Sequence, residues 1–275
     1  MTRLFKLINF EFNRIFKILL VLLISVVTIQ MVGTVKISLV YLNEIQHALE
    51  MGMSIEEIHT NYGQISFQRV TGSLWFVGPI FLGIVSVLFY IFLIWYRDWY
   101  GKNTFIYRLL TLPTERINIY LAKLVTILLM TLSFVSIQII AMPLEIKLMS
   151  WIVPEQHYIH ISAREALTNH IELSFIFKST FTEFAIWYGI GIISVAMIFT
   201  GILFERSYRL LGIGLGIGYI ILSVLLFLMP VWIHIMLDDY FYPDELYKLF
   251  ILSALVVFAL STWTASYLLR KKIRV

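Results

Sequence analysis

Among 275 residues there is no cysteine, and charged side chains make up only 14%. Without cysteine the chain has no disulfides, no thiolate nucleophile and no Cys-ligated metal. The scarcity of charge is uneven, because six stretches hold none at all: 18–35, 74–96, 124–142, 184–204, 210–233 and 249–269. Proton relays and ion-coupled carriers keep ionisable groups within such stretches despite the cost, so their absence argues against both, and against acid–base catalysis inside a bilayer. No G-x-x-x-x-G-K-[ST] loop occurs, so the chain is not expected to hydrolyse ATP by itself. No H-E-x-x-H occurs either, and the six histidines (His47, His59, His157, His160, His170 and His234) lie in or beside the polar connections. His157 and His160 have helical pair spacing, with His170 and Glu172 downstream, but they form no set equivalent to that motif, and no metal is expected. Lys and Arg cluster beside the apolar runs, which gives nucleic-acid binding no support.

What is abundant is apolar surface: 60% of residues are hydrophobic and the mean hydropathy is +0.86. A hydrocarbon core about 30 Å thick takes about 20 apolar helical residues. The expected fold is therefore an all-α polytopic membrane protein, one transmembrane domain over 1–275. Its spans are expected at about 18–40, 74–96, 119–142, 184–204, 210–233 and 249–269. Barrel strands would alternate polar and apolar residues, which these runs do not. The first run lacks a small-residue cleavage site and reads as a span rather than a removable leader. If both termini are cytoplasmic, fifteen of the 21 Lys and Arg residues fall on the inner side, against four of the 17 Asp and Glu residues. Positive charge stays inside, so this orientation is expected, in the plasma membrane.

Residues 2–17 read as an amphipathic helix on the inner surface, in contact with membrane lipid. Leu4, Phe5, Ile8, Phe12, Ile15 and Phe16 share one arc, and Arg3, Lys6, Asn9, Asn13 and Lys17 the other. Leu7, Phe10 and Glu11 fit that pattern poorly. The outer connections carry capping-box spacings at Ser54/Glu57 and Ser162/Glu165, which predict short surface helices. The fifth span opens on Gly212, Gly214, Gly216 and Gly218, two overlapping G-x-x-x-G pairs that predict close helix packing, with Tyr188, Gly189 and Gly191 as the facing surface. Gln30 and Gln138 are candidate lining groups of a passage.

The inner segment 97–118 carries the chemistry of most interest. Asn103 or Thr104 can cap a short helix that ends near Leu112, where Pro113 stops it and Thr114 caps the next span. Phe105, Leu109 and Leu112, with Arg108 beside them, are residue types favoured at protein interfaces. "DWYGKNTFIYRLLTLPTERINIYLAK" resembles the corresponding loop of ABC-2 type ABC-transporter permeases. The matching residues are Asp98, Gly101, Thr104, Leu109, Leu110, Thr111, Pro113, Arg116, Leu121 and Lys123. The family commonly has Glu at the position of Asp98, and adjacent Gly and Thr where Lys102 and Asn103 intervene here.

The resemblance implies that Asp98, Gly101, Thr104, Phe105, Arg108, Leu109, Leu112, Pro113 and Arg116 form a coupling helix seated on a separate ATPase subunit. It further implies a second permease chain, identical or paralogous, with ATP and Mg bound by the partner ATPase and no cofactor in this chain. Export of an amphipathic or hydrophobic compound, peptide- or antibiotic-like, is the function expected on this basis. Two alternatives stay open: a polytopic membrane enzyme, and a ligand-binding sensor or immunity protein acting through its outer loops.

Overall fold

The computed structural model describes residues 2–100, 105–168, 171–178, 180–238 and 240–273. Six of its helices are long and apolar enough to cross a membrane. They are α1 (Thr2–Glu50), α4 (Leu74–Trp99), α6 (Ile117–Ile152), α9 (Phe181–Tyr208), α10 (Leu210–Met236) and α11 (Pro243–Tyr267), the last followed by a π-type turn over Leu268–Lys272. The chain is an all-α polytopic membrane protein. Shorter helices are α2 (Ile55–Tyr62), α3 (Gln68–Thr71), α5 (Phe105–Leu110), α7 (Ala163–Thr168) and α8 (Ile171–Ile176). Two dipeptide strands, β1 (Ile65–Ser66) and β2 (Tyr158–Ile159), pair in parallel.

Two helix boundaries differ from those expected. Residues 2–17 are not a separate interfacial helix; they are the first turns of the 49-residue α1. No proline interrupts it, and no glycine precedes Gly33, so nothing in the chain breaks the hydrogen-bond ladder near residue 17. The helix that holds the third apolar run does not end at 142. The α6 helix continues through Pro143 to Ile152 because Ala141, Met142, Glu145 and Met149 extend its buried stripe. Burial there outweighs the loss of one backbone donor at Pro143.

The chain divides into two compact units. The first comprises Met1–Arg14, Leu88–Leu128 and Thr182–Val275. Its centre is aromatic: the Phe199 ring meets Trp95 at 5.6 Å and Tyr120 at 5.9 Å, both edge-on. The Tyr120 hydroxyl donates to the Ala196 carbonyl at 2.9 Å, so a polar atom buried with the rings is satisfied. Helices α10 and α11 pack through Phe227 and Phe250, 4.4 Å apart, and through Tyr219 Oη and Ser261 Oγ at 2.8 Å.

Helices α9 and α10 are joined by Arg209 alone, which takes φ +56°. Close packing follows, and the glycines divide by face. A Cβ on Gly216 would lie 2.7 Å from the Gly201 carbonyl oxygen, and one on Gly212 would lie 2.2 Å from that of Phe204. Gly214 and Gly218 have no heavy atom within 4 Å of a Cβ position, and neither do Gly189 and Gly191. The facing partner is therefore Gly201, not the Tyr188–Gly191 stretch, and one G-x-x-x-G pair does the packing.

The second unit comprises Ile15–Val87 and Leu129–Phe181. The buried stripe of α1 here is apolar at both ends, through Leu19, Val26, Ile45 and Ala48, and polar in the middle, through Gln30, Thr34, Ser38 and the hydroxyl of Tyr41. Thr34 and Ser38 hydroxyls bond carbonyls one turn back in their own helix, and Gln30 Nε2 donates to Phe76 O at 3.1 Å. The capping box forms at α2, where Ser54 N–H donates to Glu57 at 2.8 Å and Glu57 N–H to Ser54 Oγ at 3.3 Å. Ser162 Oγ accepts from Glu165 N–H at 3.1 Å ahead of α7.

The split among the glycines generates a paired prediction. Gly216→Ala should lower stability by about 1–3 kcal/mol, since backbone faces the new methyl. Gly214→Ala should be neutral, or stabilising by about 0.5–1 kcal/mol from helix propensity. Unfolding of the two variants in a common detergent measures the difference.

Candidate functional site

The stripe of α1 that faces protein in the first unit runs through Leu7 and Glu11, with Arg14 at its edge; Leu7 and Glu11 are two of the three residues that fitted a surface helix least well. Glu11 is 2% exposed, and Asp98 and Lys123 are fully buried. These three residues come from α1, the end of α4 and the start of α6. Lys123 Nζ donates to Glu11 Oε1 at 2.8 Å, to the Ile94 carbonyl at 2.9 Å and to Asp98 Oδ2. An ammonium has three N–H donors, and all three are used.

The remaining carboxylate oxygens are met by guanidinium groups. Arg14 Nη1 donates to Asp98 Oδ1 at 2.8 Å, and Arg97 Nη2 to Glu11 Oε2 at 3.0 Å. Arg14 also stands 5.0 Å from the Phe105 ring and 5.4 Å from the Phe10 ring. Those rings stack at 5.7 Å, which fixes the first residue of α5 against α1. The same cation thus belongs to the buried cluster and to the aromatic seat of the short helix. Stacked rings and a cation over their faces each contribute on the order of 1 kcal/mol.

Helix α5 has two unlike sides. Ile106, Leu109 and Leu110 are buried, whereas Tyr107 is 43% and Leu112, just beyond the helix, 42% exposed; Arg108, Thr111 and Pro113 are exposed too. The expected contact residues therefore separate. Arg108, Leu112 and Pro113 are outward-facing. Phe105 is half-buried on Phe10. Leu109 is core, so Phe105, Leu109 and Leu112 do not form one outward face. Asp98 is sealed in the ion cluster and cannot touch a partner. Arg116 turns inward as well, donating from Nη1 to the carbonyls of Leu269 at 2.6 Å and Ile273 at 2.9 Å. A cation on the last carbonyls of a helix offsets its unsatisfied acceptors, so Arg116 holds the C-terminal turn. Gly101 and Thr104, with the proposed cap at Asn103 or Thr104, lie outside the described residues.

A second aromatic–cation cluster stands beside the first. Arg206 lies 4.7 Å from the Tyr96 ring and 5.7 Å from that of Trp99, and the Tyr96 hydroxyl bonds the Glu205 carboxylate. In sequence Arg14 and Arg97 are only counted charges, and Glu11 is a misfit in the amphipathic pattern of residues 2–17. The available signal was a Glu interrupting the i, i+4 apolar series Leu7, Ile15, Leu19.

In the second unit, Gln30 and Gln138 are both buried, and Gln138 Nε2 has no hydrogen-bond partner. His59 Nε2 and His157 Nδ1 lie 3.0 Å apart, joining α2 to the turn before β2. Burial, and then the neighbouring His59, push the His157 imidazole below its usual range. Among the described residues no group of three His, Asp or Glu side chains could hold a metal ion, and His170 lies outside them. No family model, curated protein or solved structure matches this chain.

Removing one member of a buried ion cluster leaves its partners uncompensated. Lys123→Met, which keeps the side chain's length and deletes the charge, should therefore cost about 3–5 kcal/mol of stability. Thermal or denaturant unfolding of the purified chain measures it.

Proposed function

We propose that this chain is the membrane subunit of an ATP-binding cassette transporter of the ABC-2 permease type, exporting an amphipathic or hydrophobic compound. ATP and Mg are bound and turned over by a separate ATPase subunit, and a second permease chain completes the assembly. The supporting sequence observation is the resemblance of 97–124 to the coupling loop of that family. The observation that carries the reading is the two-sided α5: an apolar side packed into its own chain and an outward side of Tyr107, Arg108 and Thr111, continued by Leu112.

Tyr and Arg on a small exposed face, backed by a fixed scaffold, are the residue types that dominate binding energy at protein interfaces. A coupling element must also resist being pushed out of place. Here Phe105 is stacked on Phe10, and Arg14 ties that stack to Asp98. Force applied to α5 by closure of an ATPase would reach the beginnings of α1 and α6 and the end of α4 together. Such a rigid-body shift between two packed arrangements is the ordinary physical form of a switching transition. The ligand that biases it is the nucleotide state of the partner.

The reading predicts a separation of effects. Arg108→Glu combined with Leu112→Asp should abolish co-purification of an ATPase from native membranes and leave thermal stability within about 0.5 kcal/mol, as exposed substitutions do. Leu109→Ala should instead lower stability by about 2–4 kcal/mol, because it opens a cavity. Retention of the ATPase by the Arg108/Leu112 variant would overturn the coupling role.

A further inference from the structure

The second unit holds buried polar atoms with no hydrogen-bond partner among the described residues. Glu145, in the extended part of α6, is fully buried, and neither of its carboxyl oxygens has a hydrogen-bond partner. Gln138 stands seven residues earlier on the same helix face, buried, with its Nε2 unpartnered. On the buried stripe of α1, Gln30 uses its Nε2 on the Phe76 carbonyl and leaves its Oε1 without a donor. The Tyr158 hydroxyl is also unpartnered, and four of these five atoms can accept a hydrogen bond.

Removing a polar group from water with no replacement bond destabilises the fold, and buried carboxyls within membrane proteins are accordingly rare and tied to function. The ion cluster of the first unit makes the contrast clear, since there every buried carboxylate oxygen has a cationic donor. Helix α6 supplies Lys123 to that cluster and nothing comparable to Glu145. The surplus of acceptors sets the chemistry of what is missing: a group rich in N–H donors, and positively charged to match a carboxylate.

We infer that Glu145 is the anchor for an ammonium or guanidinium group on the transported compound, with the unpartnered amide of Gln138 as a neutral group on the same face of α6. This rests on the transport reading and narrows its substrate class to cationic amphipaths. The apolar spans accommodate the body of such a compound, and Glu145 selects its charge. The carboxyl is kept at a cost in stability, because a well-packed apolar residue would serve the fold better.

The test uses the full chain in lipid nanodiscs, without any ATPase, and a matched pair of rigid probes: tritiated 1-adamantylamine, an ammonium, and 1-adamantanol, its neutral counterpart. The amine should bind saturably to the parent chain and about tenfold or more weaker to Glu145→Gln and Glu145→Leu, as loss of a charge-assisted bond requires. The alcohol should not distinguish the three proteins. Glu145→Leu should unfold at the same temperature as the parent or higher. Equal amine binding to parent and Glu145→Gln, or no saturable amine binding at all, would overturn the inference. So would a lower unfolding temperature for Glu145→Leu, which would mean that the carboxyl has a structural partner. Because no ATPase enters the measurement, these failures leave the coupling role of α5 standing. Amine binding that persists while no ATPase associates would instead remove the transport reading and keep the amine site.

Discussion

The ammonium of Lys123 is enclosed by two carboxylates and a backbone carbonyl, all of them buried. Transfer of such a charge out of water costs several kcal/mol even after relaxation, and only complete pairing offsets it. Pairing here requires three helices at once: α1 brings Glu11, α4 brings Asp98 and the Ile94 carbonyl, and α6 brings Lys123. Shifting any one of them leaves a buried charge alone. The interaction is thus worth less as net stability than as a constraint on geometry. It is the reason that α5, which follows α4 closely and precedes α6, has a fixed base.

Around this constraint the unit uses ordinary packing. Phe199, Trp95 and Tyr120 fill the space on the apolar side, and Gly201 and Gly216 let α9 and α10 approach until backbone meets backbone. Lipid offers no hydrophobic reward for bringing apolar helices together, so close contact and satisfied polar groups have to supply it. The Tyr219–Ser261 bond and the Ser253 hydroxyl on the Phe227 carbonyl serve α10 and α11 in the same way. Helix α5 inherits its two-sidedness from this arrangement: one side completes the packing, and the other is left for something outside the chain.

Much of the fold was legible in sequence because hydrophobicity is a property of runs. The charge-free stretches mark all six long helices, and the capping spacings at Ser54 and Ser162 mark α2 and α7. Faces were harder to assign. A helix at a membrane surface and a helix packed on protein both show apolar residues at a period near 3.6, and periodicity does not say which apolar arc meets lipid. Phe5 and Phe16 lie on the expected apolar arc and are exposed, as a lipid-facing arc is, while a second, protein-facing stripe in the first turns of α1 runs through Leu7 and Glu11. The same ambiguity puts Leu109, a core residue, on an outward face, and Arg116 enters the contact set through the family resemblance alone. Asp98 enters the expected contact set only through the family resemblance, which says nothing of its surroundings in this chain. Its real partners, Arg14 and Lys123, are 84 and 25 residues away in the chain, beyond the reach of any local pattern. Glu145 escaped notice because Pro143 looked like an end.

The central claim is that Glu11 and Lys123 act as one unit rather than as two independently useful residues. A double-mutant cycle with Glu11→Gln and Lys123→Met, read by equilibrium unfolding in mixed detergent, addresses it most directly. The account predicts a coupling energy of about 2 kcal/mol or more, within the range for residues sharing one buried network. Additivity of the two substitutions to within about 0.5 kcal/mol would contradict it.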